Sequence, residues 1–345
     1  MLKNRKLIAY TLVIVTTVVA TLSFYFWQVA SSSNLNVKGE KTFVLYIPTG
    51  ATYKNVVDSL HKHGMIHDEI SFQFLSKWMD YPENVKPGRY EIKPNTGNKT
   101  IISKLKRGNQ DDVRLTFNNI RLKSDLIKKI GSRFEFSSEE LQAKLSDKEV
   151  CAKYGFDTTT IMCMFLPNTY FVRWTTTTDK FLDRMHSEYK KYWTDEKLAK
   201  AKSINMTPVE VAVMASIVQS ETNKKDEMPR VAGSYINRLA INMPLQADPT
   251  VRFALRDFSI KRVMEKHLRT DSPYNTYRIS GLPPGPIALP EPVALDAVLN
   301  YERHKYIYFC AREDFSGYHN FAENYDDHLK NARIYQAALN KAMIH

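Results

Sequence analysis

The chain has 345 residues, 43% of them apolar and 25% charged, with few glycines and no low-complexity tract. That composition allows two or three domains, each with its own core, and excludes extended disorder. A formal net charge of +12 raises nucleic acid as a partner, but Lys and Arg are dispersed and no nucleic-acid motif is present, so the charge reads as a basic surface suited to anionic lipid or an acidic polymer.

The N-terminus bears on the compartment. Lys3, Arg5 and Lys6 precede an uncharged run from Leu7 to Ala30, long enough to cross the hydrocarbon core of a bilayer. The basic flank favours a cytoplasmic start. Phe24, Tyr25, Phe26 and Trp27 sit where an interfacial aromatic belt would. A signal peptide cleaved near Val29-Ala30-Ser31 is the alternative; the length of the run and its bulky aromatic end favour an uncleaved anchor. No Cys follows the run to suggest a lipoprotein. Residues 1–34 therefore read as a cytoplasmic tip and transmembrane anchor, with everything beyond them outside the cytoplasm.

Ser31 to Lys41 is polar and reads as a short tether. Phe43 to Ile47 predicts a strand and Pro48-Thr49-Gly50 a turn. Thr52 opens a helix with Val56, Val57 and Leu60 on its apolar side, and a second helix is expected around Ile70 to Met79. Pro87 to Ile92 predicts a turn into a strand, and Lys99 to Leu105 a helix closed by Gly108. The opening pattern returns weakly 70 positions on: Val113 to Phe117 matches Phe43 to Ile47, and Leu126, Ile127 and Ile130 fall where Val56, Val57 and Leu60 fell. Two tandem strand–helix units are the expectation.

Helical segments then lead to Phe165-Leu166-Pro167-Asn168-Thr169-Tyr170, and Phe181 to Trp193 predicts a helix. Thr207-Pro208-Val209-Glu210 is a strong helix start, with a capping Thr, Pro in the first turn and Glu completing a capping box. That helix should reach Glu221. Further helices are expected over Glu227 to Leu239 and Glu291 to Tyr301, a hairpin from Tyr306 to Ala311 and Tyr318 to Ala322 around Ser316-Gly317, and a last helix from the capping Asn324 to about Ile344. The fold class is α+β. Cys151, Cys163 and Cys310 cannot all pair within one chain. A Cys151–Cys163 disulfide and three isolated buried thiols both fit, and no Cys–His spacing suggests zinc.

Glu221 carries the strongest chemical signal. Val218, Ile217 and Met214 lie three, four and seven positions before it, on the same side of the helix. A carboxyl emerging from that surface is desolvated, which favours its neutral form and suits a general acid. A solvated Glu at a helix C-terminus is the alternative, and the helix dipole disfavours it. Ordinary glycosidases need two carboxylates, yet no second acid stands in a comparable setting. Asp226 and Glu227 are on a polar, Lys-flanked stretch and are expected to be solvated. Asp248, between Gln246 and Pro249, is expected in a turn held by backbone hydrogen bonds, with a structural role as well supported as a catalytic one.

Glu221, Arg230, Asn237, Arg238 and Leu245-Gln246-Ala247-Asp248-Pro249-Thr250, followed by Ser272-Pro273-Tyr274-Asn275-Thr276-Tyr277 and Gly281-Leu282-Pro283-Pro284-Gly285-Pro286-Ile287, resemble the MltG (YceG-like) endolytic transglycosylases, which cut peptidoglycan strands beside the bacterial inner membrane. The resemblance covers nearly all the chain after the anchor and is most specific from Ala215 to Pro290. It implies a LysM-like α/β module over 40–110, a second strand–helix unit with connecting helices over 111–200, and a mainly helical catalytic domain with a small sheet over 201–345. It implies that Glu221 alone acts first as acid on the bond between MurNAc and GlcNAc, then as base on the MurNAc C6 hydroxyl, giving a 1,6-anhydro end. No metal or organic cofactor is implied.

The resemblance places the other motif residues along the groove. Gln246 and Asn275 offer amides suited to N-acetyl groups and hydroxyls. Tyr274 and Tyr277 stack on sugar faces or pack internally. Asn237 and Arg238 contact substrate or brace the Gln246 loop. Asp248 and Thr250 complete the loop motif, and Pro284 stands in a stiff segment able to fix a groove wall. His319 fits substrate contact and a structural role equally, whereas His328 reads as structural. Two departures stand out: Gln219 where the family usually has Glu, and Asn168 in place of an acid in a Pro-Asp-Thr-Tyr segment. The expected partners are peptidoglycan strands, the membrane through the N-terminal helix, and peptidoglycan synthases, with no nucleic acid. A non-enzymatic wall-binding scaffold and a conventional muramidase that uses water are the competing readings.

Overall fold

The computed structural model describes residues 2–31 and 42–342, with side chains from residue 5 onward. The tether expected after Ser31, the Lys3 side chain and the expected helix end at Ile344 lie outside the described residues. The fold is helix-dominant, with three two-stranded sheets among the described residues. It divides into two compact units: the chain up to Leu115 with Arg133–Glu135 and Tyr170–Thr176, and the remainder.

The first unit opens with α1 (Leu2–Ser31), long and apolar enough over Arg5–Ser31 to cross a membrane. Strand β1 (Phe43–Ile47) pairs antiparallel with β2 (Gly88–Ile92), Phe43 opposite Ile92 and Ile47 opposite Gly88. Between them come α2 (Tyr53–Lys62) and α3 (Glu69–Trp78), and α4 (Asn98–Arg107) follows. Thr52 caps α2 as expected, completing a capping box with Asn55. Val56, Val57 and Leu60 are buried with Leu45, Ile47, Phe72, Tyr90 and Ile102. The α4 helix stops at Gly108, which adopts the left-handed conformation (φ +69°) that a side chain would resist.

Strand β3 (Val113–Phe117) pairs with β4 (Asn168–Val172), and the chain passes between the units within each of these strands. The second unit then holds α5 (Lys123–Gly131), α6 (Ser138–Ser146), α7 (Lys148–Lys153), α8 (Thr178–Tyr192) and α9 (Asp195–Ser203). The helices α10 (Pro208–Glu221), α11 (Met228–Ala240), α12 (Asp248–Leu255), α13 (Glu265–Leu268) and α14 (Pro292–Leu299) follow. The hairpin β5 (Tyr308–Ala311) and β6 (His319–Ala322) and the last helix α15 (Tyr325–Lys341) complete it.

Helix α10 is the axis of this unit. Every residue from Val211 to Val218 is buried, and a helix apolar on all sides belongs inside. It packs between α11, α12 and α14. Its buried hydroxyl, Ser216, donates to the Val213 carbonyl at 2.7 Å and accepts from the Ile287 N–H at 3.0 Å. The expected capping box is present: Glu210 Oε2 accepts from the Thr207 N–H at 2.7 Å, while the Thr207 hydroxyl takes the Glu210 N–H.

The sequence reading missed α12 and α13, and α14 ends at Leu299 rather than Tyr301. All three cysteines are free thiols, Cys151 and Cys163 buried, and burial pushes the Cys163 thiol up to about 12. Thr207→Ala removes one arm of the box that starts α10. Its expected effect is a loss of about 1 kcal/mol in unfolding free energy, read by denaturant titration.

Candidate active site

The C-terminus of α10 delivers Glu221 to the edge of the buried core. The residue keeps part of its surface accessible. Its Oε1 accepts a hydrogen bond from the Tyr235 hydroxyl at 2.7 Å. Tyr235 stands on α11, 1% exposed, with its ring edge-on to Phe309. Desolvation is the largest influence on the Glu221 carboxyl and raises its pKa. The Tyr235 bond opposes it, the charge of Asp248 adds to it, and Arg252 and Arg238 pull down again; the outcome lies at about 7.

A cleft of about 780 Å³ opens at the C-terminal end of α10. Gln219, Ser220 and Asn223, on either side of Glu221 in the chain, line it together with Pro249 and Arg252 of α12 and Arg121. Arg121 lies over the ring of Phe258, 5.0 Å from its centroid. A smaller hollow of about 340 Å³, lined in part by Pro167, Asn168 and Thr169, shares Lys225 and Glu291 with the cleft. The motif around Asn168 thus belongs to the same region. Gln219, at the departure from the family pattern, accepts the Glu291 N–H at 2.7 Å and so ties α10 to the start of α14.

The residues expected along the groove divide into two groups. Gln246 is exposed, its side chain makes no hydrogen bond among the described residues, and its backbone is left-handed at φ +48°. A residue other than Gly or Asn held there is strained; the Gln246 N–H, donating to the Thr276 carbonyl at 3.0 Å, helps hold it. Asp248 forms no Asx-turn, contrary to expectation. It begins α12, and its Oδ1 accepts the Tyr277 hydroxyl at 2.7 Å. Tyr277 is therefore committed to Asp248.

The second group is bracing. Arg238 is 7% exposed and donates to the carbonyls of Ile307 (2.6 Å) and Leu245, which leaves it holding the loop before Gln246. Asn237 donates to the carbonyls of His304 and Tyr306 at 2.8 and 2.9 Å. Asn275 does not face a groove: it is fully buried, and its amide donates to the carbonyls of Leu268 and Thr270 at 2.9 and 2.8 Å. Thr250 is also fully buried and shares a 2.8 Å hydroxyl contact with Thr276. Tyr274 packs on Phe253, ring centroids 4.7 Å apart. Pro284 is exposed and lies outside the cleft lining; Ile287 and Ala288, a few residues on, supply that wall.

Glu227 also departs from expectation. It is 4% exposed, and its two oxygens take the His319 N–H and Nδ1, each at 2.8 Å. This pairing gives His319 a structural role in securing the hairpin, whereas Asp226 is exposed as expected. His328 stacks on Tyr308. Among the described residues no group of three or more His, Cys, Asp and Glu side chains is placed to hold a metal ion. Sequence reasoning missed Tyr235, Arg252 and Arg121. Tyr235 shares an apolar stripe with Met228, Val231 and Ala232, and a hydroxyl in such a stripe needs a polar partner when buried; that was the available signal.

Comparison with known proteins matches the YceG-like family over residues 45–334. The chain belongs to the YceG-like family. The "Endolytic murein transglycosylase" of Bacillus subtilis strain 168 is 28% identical over 321 residues, covering 88% of each chain. The protein of the same name from Streptococcus pneumoniae D39 is 24% identical over 327 residues, 86% of this chain. The chain spans 59% of the length of that pneumococcal relative. A crystal structure of a YceG-like protein from Listeria monocytogenes shares the fold at a TM-score of 0.52, with 25% identity, 85% of this chain and 99% of that one covered.

The displaced carboxyl makes stability pH-dependent. Glu221 binds its proton more tightly in the folded chain, so its contribution is fully present below its ordinary value of 4.5 and is lost as pH rises to about 7. Glu221→Gln keeps an acceptor for Tyr235 and removes the charge. At pH 8 it should be the more stable form by about 3 kcal/mol, with the difference vanishing below about pH 4 in parallel denaturant titrations.

Proposed function

We propose that the chain is an endolytic murein transglycosylase, anchored by α1 in the bacterial plasma membrane with its bulk outside the cytoplasm. It cleaves MurNAc–GlcNAc bonds in peptidoglycan strands and leaves 1,6-anhydro-MurNAc ends. The observation that carries the reading is the single carboxyl of Glu221, between chain neighbours that line a cleft and balanced near neutral pH between its two protonation states. The relatives' names agree with it. Residues 201–345 act as the catalytic domain, 111–200 as a second strand–helix unit, and 40–110 as a LysM-like module. Synthases that extend the same strand are the natural neighbours.

In this mechanism neutral Glu221 gives its proton to the glycosidic oxygen as the bond to MurNAc C1 breaks. The resulting carboxylate takes the proton of the MurNAc C6 hydroxyl, whose oxygen bonds to C1. The ring closes, the acid is restored and no water is consumed. The internal nucleophile gains from proximity, and a pKa near the working pH lets one group serve both steps. Tyr235 donates to Oε1, so neutral Glu221 carries its proton on Oε2. Gln246, with its free amide at the motif loop, is the substrate contact among the family motif residues.

One observation favours a second reading. Asp248 is near enough for its charge to raise the Glu221 pKa, and a second carboxylate would suit a hydrolase that activates water. Mass spectrometry of products from purified strands, with the full chain in detergent, decides between them. Anhydro ends that fall on the order of 10³-fold in Glu221→Gln are expected. Reducing MurNAc ends would establish the hydrolase, and no cleavage by folded protein would leave a scaffold. Tyr235→Phe deletes a bond that stabilises the carboxylate. The high-pH limb of activity, where the acid proton is lost, should then move to higher pH in a pH–rate profile.

A further inference from the structure

Helix α3 is apolar on two sides. Ser71, Phe72, Leu75 and Ser76 are buried in the first unit. The opposite stripe of a helix in water is normally polar. Here it carries Ile70, Phe74 and Trp78, which are 82%, 53% and 61% exposed. Their spacing of four residues puts them on one side, flanked by exposed Lys77.

The stripe continues onto α1. Trp78 meets Phe26 edge-on, ring centroids 5.0 Å apart. Phe74 closes a groove of about 560 Å³ whose other walls are Leu22, Ser23, Tyr25, Phe26 and Val29. The junction is packed: Val29 is 6% exposed within the core of the unit, and the fully buried Asn98 donates from Nδ2 to the Val29 carbonyl at 3.1 Å. That bond satisfies one of the carbonyls left open at a helix end. Gly97 is close enough to Ser31 that an added Cβ would stand 2.7 Å from its carbonyl oxygen. The last turns of α1 and the start of α4 are therefore joined backbone to side chain.

We propose that α3 lies in the interfacial layer of the membrane on the side where α1 emerges, with Ile70, Phe74 and Trp78 against lipid. This rests on α1 being an uncleaved membrane span. From Leu22 to Ala30 is about 12 Å along a helix, so the residues that α3 touches belong to the last turns of the span. Trp and Tyr collect at that depth, and an amphipathic helix can lie there with its apolar side in the acyl boundary. Lipid is the occupant because the stripe is continuous with exposed Leu22, Phe24, Tyr25 and Trp27, a surface that a membrane span presents to acyl chains.

The test uses the full chain in phospholipid vesicles. Cys310→Ser removes the one cysteine that is not buried. In that background Ile70→Cys, Phe74→Cys and, as an aqueous reference in α9, Lys202→Cys are nitroxide-labelled. Collision rates with oxygen and with a water-soluble nickel chelate are then compared. The oxygen-to-nickel ratio at 70 and 74 should exceed that at 202 by about fivefold or more. A ratio equal to that at 202, or exclusion of both reagents by covering protein, overturns the proposal. Alkaline carbonate extraction of the same vesicles separates the two levels. Protein that stays in the membrane with water-exposed labels sinks only the placement of α3, whereas protein released by carbonate sinks the anchor and this proposal together.

Discussion

A charge-bearing group at the end of a helix with no polar side is the constraint from which the site follows. Helix α10 has nowhere to put water along Val211 to Val218, so the carboxyl at its end is partly deprived of solvent before any ligand arrives. One oxygen is met by a phenol that is itself buried. The acid is thus poised by the core rather than by a matching base. The surrounding helices keep α10 dry while its last residue stays partly accessible.

Much of the family motif serves that geometry from a distance. Arg238 and Asn237 hold backbone carbonyls of the Gln246 loop and of the approach to the hairpin. Asn275, Thr276 and Thr250 form a buried hydrogen-bonded knot beneath the same loop. Buried polar groups are costly unless satisfied, and a fully satisfied cluster can rigidify what it supports. The loop is thereby fixed tightly enough to keep Gln246 in a backbone conformation it would not choose. A binding surface built this way has few residues in contact with ligand and many that orient them.

The elements of the chain were legible wherever local rules speak. Thr207, Pro208 and Glu210 announced α10, Asn324 announced α15, and short runs beside turn residues announced β1 and β2, because caps and turns act over a few residues. The helix α12 was hidden because Asp248-Pro249 is equally good chemistry for a turn and for a first helical turn. Glu221 could be singled out from its own helix. Tyr235, Arg252 and the pairing of Glu227 with His319 could not, since each depends on a meeting across many residues. Asn275 misled for the opposite reason: an amide in a polar motif reads as a ligand contact, and only its burial reveals a brace.

The left-handed backbone at Gln246 has an evolutionary reading. Glycine would relax that position at once, and asparagine nearly so. A lineage selected only for heat tolerance should therefore drift there toward those two residues, whereas selection for the glycan contact proposed above would hold a longer amide there. On that proposal stability and activity pull against each other at a single codon. The residue found there in a given relative then becomes a record of which pressure has prevailed.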